Sequence, residues 1–96
     1  MKGYRFLPPA EEELTEASLY YETASAGLGL DFLSDLQLTV GAIREHPEIG
    51  QSAGRIFRQT SFRRFPFLLI YVEEKNDIVV IAVAHQKRRP GYWRKR

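Results

Sequence analysis

The residues best equipped for chemistry crowd into one stretch near the end of the chain. These are His85, Lys87, Arg88, Arg89, Tyr92, Trp93 and Arg94, interrupted by the turn-forming pair Pro90-Gly91. Guanidinium and ammonium groups neutralise phosphates or carboxylates, and aromatic rings stack on bases. An imidazole exchanges protons near neutral pH. Together they suit a nucleic acid or another acidic surface. Two plainer roles stand beside that one. The Trp93 indole can fold back and cap the core. His85, at a strand end, can be a hydrogen-bonded structural residue and not a base. Arg63-Arg64 form a second basic site, which an antiparallel strand pair would bring to the same end as His85. Arg55 and Arg58 can widen it. His46-Pro47 reads as a helix stop with no function, and Glu11-Glu12-Glu13 as a solvated helix start.

Other chemistries are ruled out by what the chain lacks. There is no cysteine, which excludes a disulfide scaffold, a thiolate metal site and a cysteine nucleophile. Two histidines are too few for an all-protein metal cage, so neither metal nor cofactor is expected. No glycine-rich phosphate loop, HExxH or Gly-x-Ser-x-Gly motif is present. The 96 residues suffice for one domain, taken as 1–96, with two packed layers. The longest apolar run, Phe65 to Val72, falls far short of the roughly 20 residues of a membrane span. With no secretory signal visible, the expectation is a cytoplasmic protein that does not enter a membrane.

The charge is segregated. Residues 1–54 carry three basic side chains against nine acidic, and residues 55–96 eleven against three, so the halves stand at −6 and +8. A basic half of this kind suits a polyanionic or acidic partner, and equally a solvated tail.

The elements that must position these residues follow from periodicity. Residues 2–7 alternate as a short strand that Pro8-Pro9 ends. Ala10, Leu14, Ala17, Tyr21 and Ala24 form one stripe on a first helix of about 16 residues. Gly27 is a left-handed stop, and Asp31 opens a second helix that carries Leu33, Leu36, Val40 and Ile43 to about His46. Arg55–Gln59 and Phe62–Val72 read as strands, 73–77 as a hairpin loop, and Ile78–Ala84 as a strand buried on both faces. The expected order is βααβββ. It is an α+β fold with an antiparallel helix hairpin packed on one face of a mainly antiparallel four-stranded sheet. The core list is Leu14, Tyr21, Leu33, Leu36, Val40, Ile43, Leu69, Tyr71, Ile81 and Val83.

This order, with Phe62-Arg63-Arg64-Phe65-Pro66-Phe67-Leu68-Leu69-Ile70-Tyr71 and Ile81-Ala82-Val83-Ala84-His85 followed by Arg88-Arg89-Pro90 and Tyr92-Trp93, resembles the RelE/ParE toxin superfamily of bacterial type II toxin–antitoxin modules. The likeness extends to Pro8-Ala10-Glu13-Leu14 and Ile43-x-x-His46-Pro47. It implies a growth-inhibiting toxin held inactive in a hetero-oligomer with a cognate antitoxin. RelE-like members cut ribosome-bound messenger RNA, which needs a proton acceptor, cations and a proton donor. If this chain is one, the candidates are His85, Lys87, Arg88 and Tyr92. That branch places an arginine in the long strand where this chain has Leu68. ParE-like members instead poison DNA gyrase without a catalytic set, and the Val83-Ala84-His85 strand ending is closer to theirs. The resemblance therefore favours the ParE-like branch, with Arg63, Arg64, His85, Lys87, Arg88, Arg89, Tyr92, Trp93 and Arg94 as the target-binding set. A non-toxic interaction domain of the same fold is the third possibility.

Overall fold

The computed structural model describes residues 2–96. Strand β1 (Gly3–Phe6) ends at the proline pair, and helix α1 (Pro8–Ala24) starts on it, because proline lacks only a donor that the first turn leaves unused. Gly27 turns the chain at φ 88°, and α2 (Leu28–Glu45) begins immediately, three residues before Asp31. The carboxylate of Glu22, late in α1, accepts the Gly27 and Gly29 N–H groups. It supplies the negative charge that a helix start favours. A 3₁₀ turn (Pro47–Ile49) then leads to β2 (Gln51–Ser52), β3 (Phe57–Ser61), β4 (Phe67–Glu73) and β5 (Asp77–His85).

The sheet has five strands in the order β1-β5-β4-β3-β2. This corrects the expected four. The two-residue β2 is too short to leave a periodic signal. The sheet is also mixed, since β1 runs parallel to β5 while the other pairs are antiparallel. A second correction concerns residues 62–66, which form a loop before β4 and not the start of that strand.

Both faces of the sheet are covered, which is why β5 reads as apolar throughout. On one face Phe32, Leu36, Val40 and Ile43 of α2 and Ala10 and Ala17 of α1 pack on Leu69, Tyr71, Ile78, Val80 and Val83. Aromatic rings fill one end of this layer, with Phe32 stacked 5.3 Å from Phe62 and edge-on to Phe67 at 5.0 Å. On the other face Trp93 covers Ile70, Val79, Ile81 and Ala84. Of the expected core, Leu14, Tyr21 and Leu33 are only half-buried, and the stripe runs instead through Phe32.

A bulge decides what β5 presents. Ile70 pairs with Ala82 but Tyr71 pairs with Val80, so Ile81 is an extra residue. Ile78 and Val80 face the helices, and Ile81 and Ala82 both face away. Past the bulge the alternation is inverted, and Val83 returns to the helix side. Ile81 and Val83, grouped together from the sequence, therefore lie on opposite faces. Bulges re-aim side chains in this way. Here the result is that the His85 ring stands edge-on to Phe67 at 5.1 Å.

Candidate functional site

Three pieces of chain meet at the end of β5: the loop 62–66, the C-terminal segment after His85, and the first turns of α1. The loop is held by one side chain. Asp35 of α2, 2% exposed, accepts the backbone N–H groups of Arg63, Arg64 and Phe65 at 3.0, 2.8 and 3.3 Å. These bonds fix the backbone and leave the Arg63 and Arg64 side chains exposed, with the Arg64 guanidinium 3.6 Å from the Asp31 carboxylate. The Gln86 N–H donates to the Pro66 carbonyl at 2.9 Å, which joins the loop to the C-terminal segment. Arg63-Arg64 and the residues after His85 thus share one end of the sheet, as antiparallel pairing of β4 and β5 requires.

The segment 86–96 is folded down. Trp93 is 4% exposed and lies 4.8 Å from Phe57, edge to face. Its indole is a wedge under the segment, the capping role weighed above, and not an open contact. Tyr92 is half-buried between two guanidiniums, with Arg88 3.9 Å and Arg96 5.1 Å from its ring. Arg94 lies over Trp93 at 5.5 Å. His85, Arg88, Arg89, Tyr92, Trp93 and Arg94 line one cavity of about 380 Å³ floored by Leu68, Ile70 and Ala84. Arg63, Arg64 and Lys87 stand outside it.

Glu13 anchors the segment, a role not assigned to it from the sequence. Its carboxylate accepts both Arg96 guanidinium nitrogens at 2.8 and 3.0 Å, the Val83 N–H at 3.1 Å, and the Tyr92 hydroxyl. The expectation of a solvated Glu11-Glu12-Glu13 start fails at this residue, whose side chain is 14% exposed. The signal was its spacing. It lies three residues after Ala10 and four before Ala17, on the stripe that faces the sheet. Burial raises its pKa, but the bonds from Arg96, Tyr92 and Val83 outweigh burial and hold it below the ordinary carboxylate value. The Tyr92 phenol is driven well above its ordinary value, first by burial and then by Glu13.

These contacts bear on what the groups can do. The Tyr92 hydroxyl is committed to Glu13 and holds its proton tightly, which suits a strut better than a proton donor. Nδ1 of His85 accepts the Lys87 N–H at 3.0 Å. That bond commits Nδ1 to the turn that follows β5. Leu68, between Ser61 and Ala84 in the sheet, is packed with the apolar residues of the second face. What remains available is a set of exposed cations on a firm support: Arg63, Arg64, Lys87, Arg88, Arg89 and Arg94. No helix among the described residues is long and apolar enough to cross a membrane.

A chain of the chromosomal ParDE toxin–antitoxin system from P. aeruginosa shares this fold. It superposes with a TM-score of 0.62 over 88% of this chain and 96% of its own, at 14% identity. No curated protein sequence matches. The model of the family described as the ParE toxin of the type II toxin–antitoxin system matches residues 4–90, from β1 through the first turn of the C-terminal segment. That span takes in both helices and every strand but the first residue of β1, and the chain belongs to the ParE toxin family.

Proposed function

We propose that this protein inhibits growth when free of a cognate antitoxin, and that it does so by binding DNA gyrase through the exposed cations around the C-terminal segment. The observation that carries the choice of target is the engagement of Tyr92 by Glu13 and of His85 Nδ1 by the Lys87 N–H. An RNA-cleaving site needs a free acceptor and a free donor, and these two groups are committed to holding the fold. Leu68 adds to the argument by placing an apolar side chain where the nuclease branch carries a cation. A binding surface needs none of these groups free. Arg63, Arg64, Lys87, Arg88, Arg89 and Arg94 supply its charge, His85 its edge, and Tyr92 and Trp93 the support beneath. The antitoxin forms a hetero-oligomer with the toxin in the cytoplasm, and the basic half of the chain suits an acidic antitoxin segment.

Induced expression without the antitoxin, followed by parallel assays of translation and DNA supercoiling, tests this reading. Growth arrest with loss of supercoiling and intact translation is the expected result. Cleavage of ribosome-bound message by the purified protein, abolished in Tyr92→Phe, would replace gyrase with the ribosome as the target.

A further inference from the structure

The C-terminal segment holds a guanidinium in place and gives it no anion. Arg94 lies over the Trp93 ring at 5.5 Å, with Gly54 and Gly91 close against it. A Cβ at Gly91 would stand 2.5 Å from the Arg94 Nε, and Gly91 has φ 78°, so a side chain there would be strained and would push the guanidinium aside. Arg88 is placed in a similar way, 3.9 Å from the Tyr92 ring. Among the described residues no carboxylate pairs with Arg88, Arg89, Arg94 or Lys95. The cations beside them are partnered, Arg96 with Glu13 and Arg64 with Asp31. Ordering a long cationic side chain costs entropy, and at Arg88 and Arg94 no internal ion pair offsets it.

These four cations line two adjoining depressions. One is the cavity of about 380 Å³ floored by Leu68, Ile70 and Ala84. The other, of about 450 Å³, shares Arg89 and Arg94 with it and adds Lys95. Neither lining contains a carboxylate. Neither contains one of the large apolar side chains that the protein exposes, such as Leu19, Tyr20 and Leu30 of the helix hairpin.

We infer that these depressions seat phosphates of a nucleic-acid backbone. The inference narrows the gyrase reading, on which it rests for the choice of DNA: Arg88, Arg89, Arg94 and Lys95 meet the DNA that gyrase holds, and Arg63, Arg64 and Lys87 remain for the protein. A guanidinium fits phosphate oxygens as a two-pronged fork. Neutralising phosphates releases counterions, a gain that needs no apolar contact. The centre of a protein interface is instead built on apolar and aromatic anchors, and the aromatic rings of this segment are already engaged. Tyr92 has Arg88 and Arg96 over its ring, and Trp93 is 4% exposed. Neither ring is free to stack on a base. The contact is therefore to phosphates and is indifferent to sequence.

Fluorophore-labelled duplex DNA of mixed sequence, titrated with the purified toxin in the absence of gyrase, tests it. Log affinity should fall against log salt with a slope between about −3 and −4, as four phosphate contacts require. Arg89→Ala and Arg94→Ala, both at exposed positions, should each bind several-fold more weakly and bring the slope about one unit closer to zero. Arg5→Ala, on the edge strand β1 and paired with Glu74, should match the wild type. No binding at about 50 mM salt overturns the inference. So do slopes in both arginine variants equal to that of the wild type. Displacement of the DNA by polyglutamate or by inorganic phosphate at equal charge concentration also overturns it, in favour of an acidic peptide or a lone anion. Because gyrase is absent from the titration, the two readings fail separately. DNA binding by a toxin that leaves supercoiling intact keeps this inference and removes gyrase as the target, and gyrase inhibition without DNA binding does the reverse.

Discussion

Glu13 and Arg96, 83 residues apart, together stand in for a missing strand. β1 pairs with β5 only as far as Phe6 and Val80, and the Leu7 N–H to the Val80 carbonyl is the last backbone bond on that edge. Beyond it, the Val83 N–H donates to Glu13 and the Ile81 carbonyl accepts from Arg96 at 3.0 Å. The two side chains bond to each other and to the strand, so the exposed edge of β5 is closed by side chains. An open edge invites pairing with another chain, and an unsatisfied buried group is costly.

Glu13→Ala should therefore cost about 2–3 kcal/mol, because it strips partners from the Val83 N–H, the Tyr92 hydroxyl and the Arg96 guanidinium at once. Glu12→Ala, one residue away on the solvent side, should stay within about 0.5 kcal/mol of wild type. Urea denaturation of the two variants checks the contrast. Equal stabilities would mean that the clamp contributes nothing.

The clamp also sets a pH window. The Glu13 carboxyl is held below its ordinary 4.5 in the fold, so the unfolded chain takes up a proton first. The stability it contributes is complete above that value and is lost as the pH falls from there through the lower value of the folded state. The Tyr92 phenol is raised above its ordinary 10.0, so its contribution is complete below pH 10 and is lost as the pH rises further. Stability should be flat between roughly pH 5 and pH 10. Glu13→Gln should flatten the acid limb. Tyr92→Phe should flatten only part of the alkaline limb, because burial also raises Tyr21 and Tyr71. Melting curves across the pH range read both limbs.

The parts of this arrangement that could be read from the sequence are those that repeat. The stripes of α1 and α2, the left-handed Gly27 and the doubly buried β5 all leave periodic or compositional marks. The parallel pairing of β1 with β5 leaves none, because two helices and three strands separate the partners and no local pattern records their relative direction. The bulge at Ile81 is equally silent, since one extra β-branched residue in an apolar run changes no local pattern. Glu13 and Asp35 were legible in principle. Each lies on the inward stripe of its helix, Asp35 between Phe32 and Thr39, both buried. A carboxylate on such a stripe must be paired or bonded, and that rule locates both anchors of the candidate site.

Asp35 yields the third prediction. It accepts three N–H groups from the loop that presents Arg63 and Arg64, and its own backbone carbonyl accepts the Thr39 hydroxyl at 2.9 Å. Asp35→Ala leaves three donors without an acceptor and should cost about 2–4 kcal/mol. Asp35→Asn keeps one acceptor oxygen and should cost less. Hydrogen exchange at the Arg63, Arg64 and Phe65 amides should accelerate in both variants ahead of global unfolding. Unchanged protection of those amides would show that the loop holds its shape without Asp35.

The final prediction separates the two kinds of residue that share the C-terminal segment. Trp93 is buried against Phe57 and the second face of the sheet, so Trp93→Ala should lower stability by about 3–5 kcal/mol through the cavity it leaves. Arg88 and Arg89 are exposed, and the Arg88 guanidinium stacks on the Tyr92 ring. An exposed contact of that kind contributes about 0.5–1 kcal/mol. The double variant Arg88→Ala with Arg89→Ala should therefore melt near the wild-type temperature and still bind the antitoxin. If these cations form the working surface, that well-folded variant should have lost its toxicity. Trp93→Ala should show the reverse order, with folding failing before toxicity is lost for any other reason. Thermal melts and growth assays at matched expression measure both. A double arginine variant that still arrests growth would move the working surface away from the C-terminal segment, to the helix hairpin.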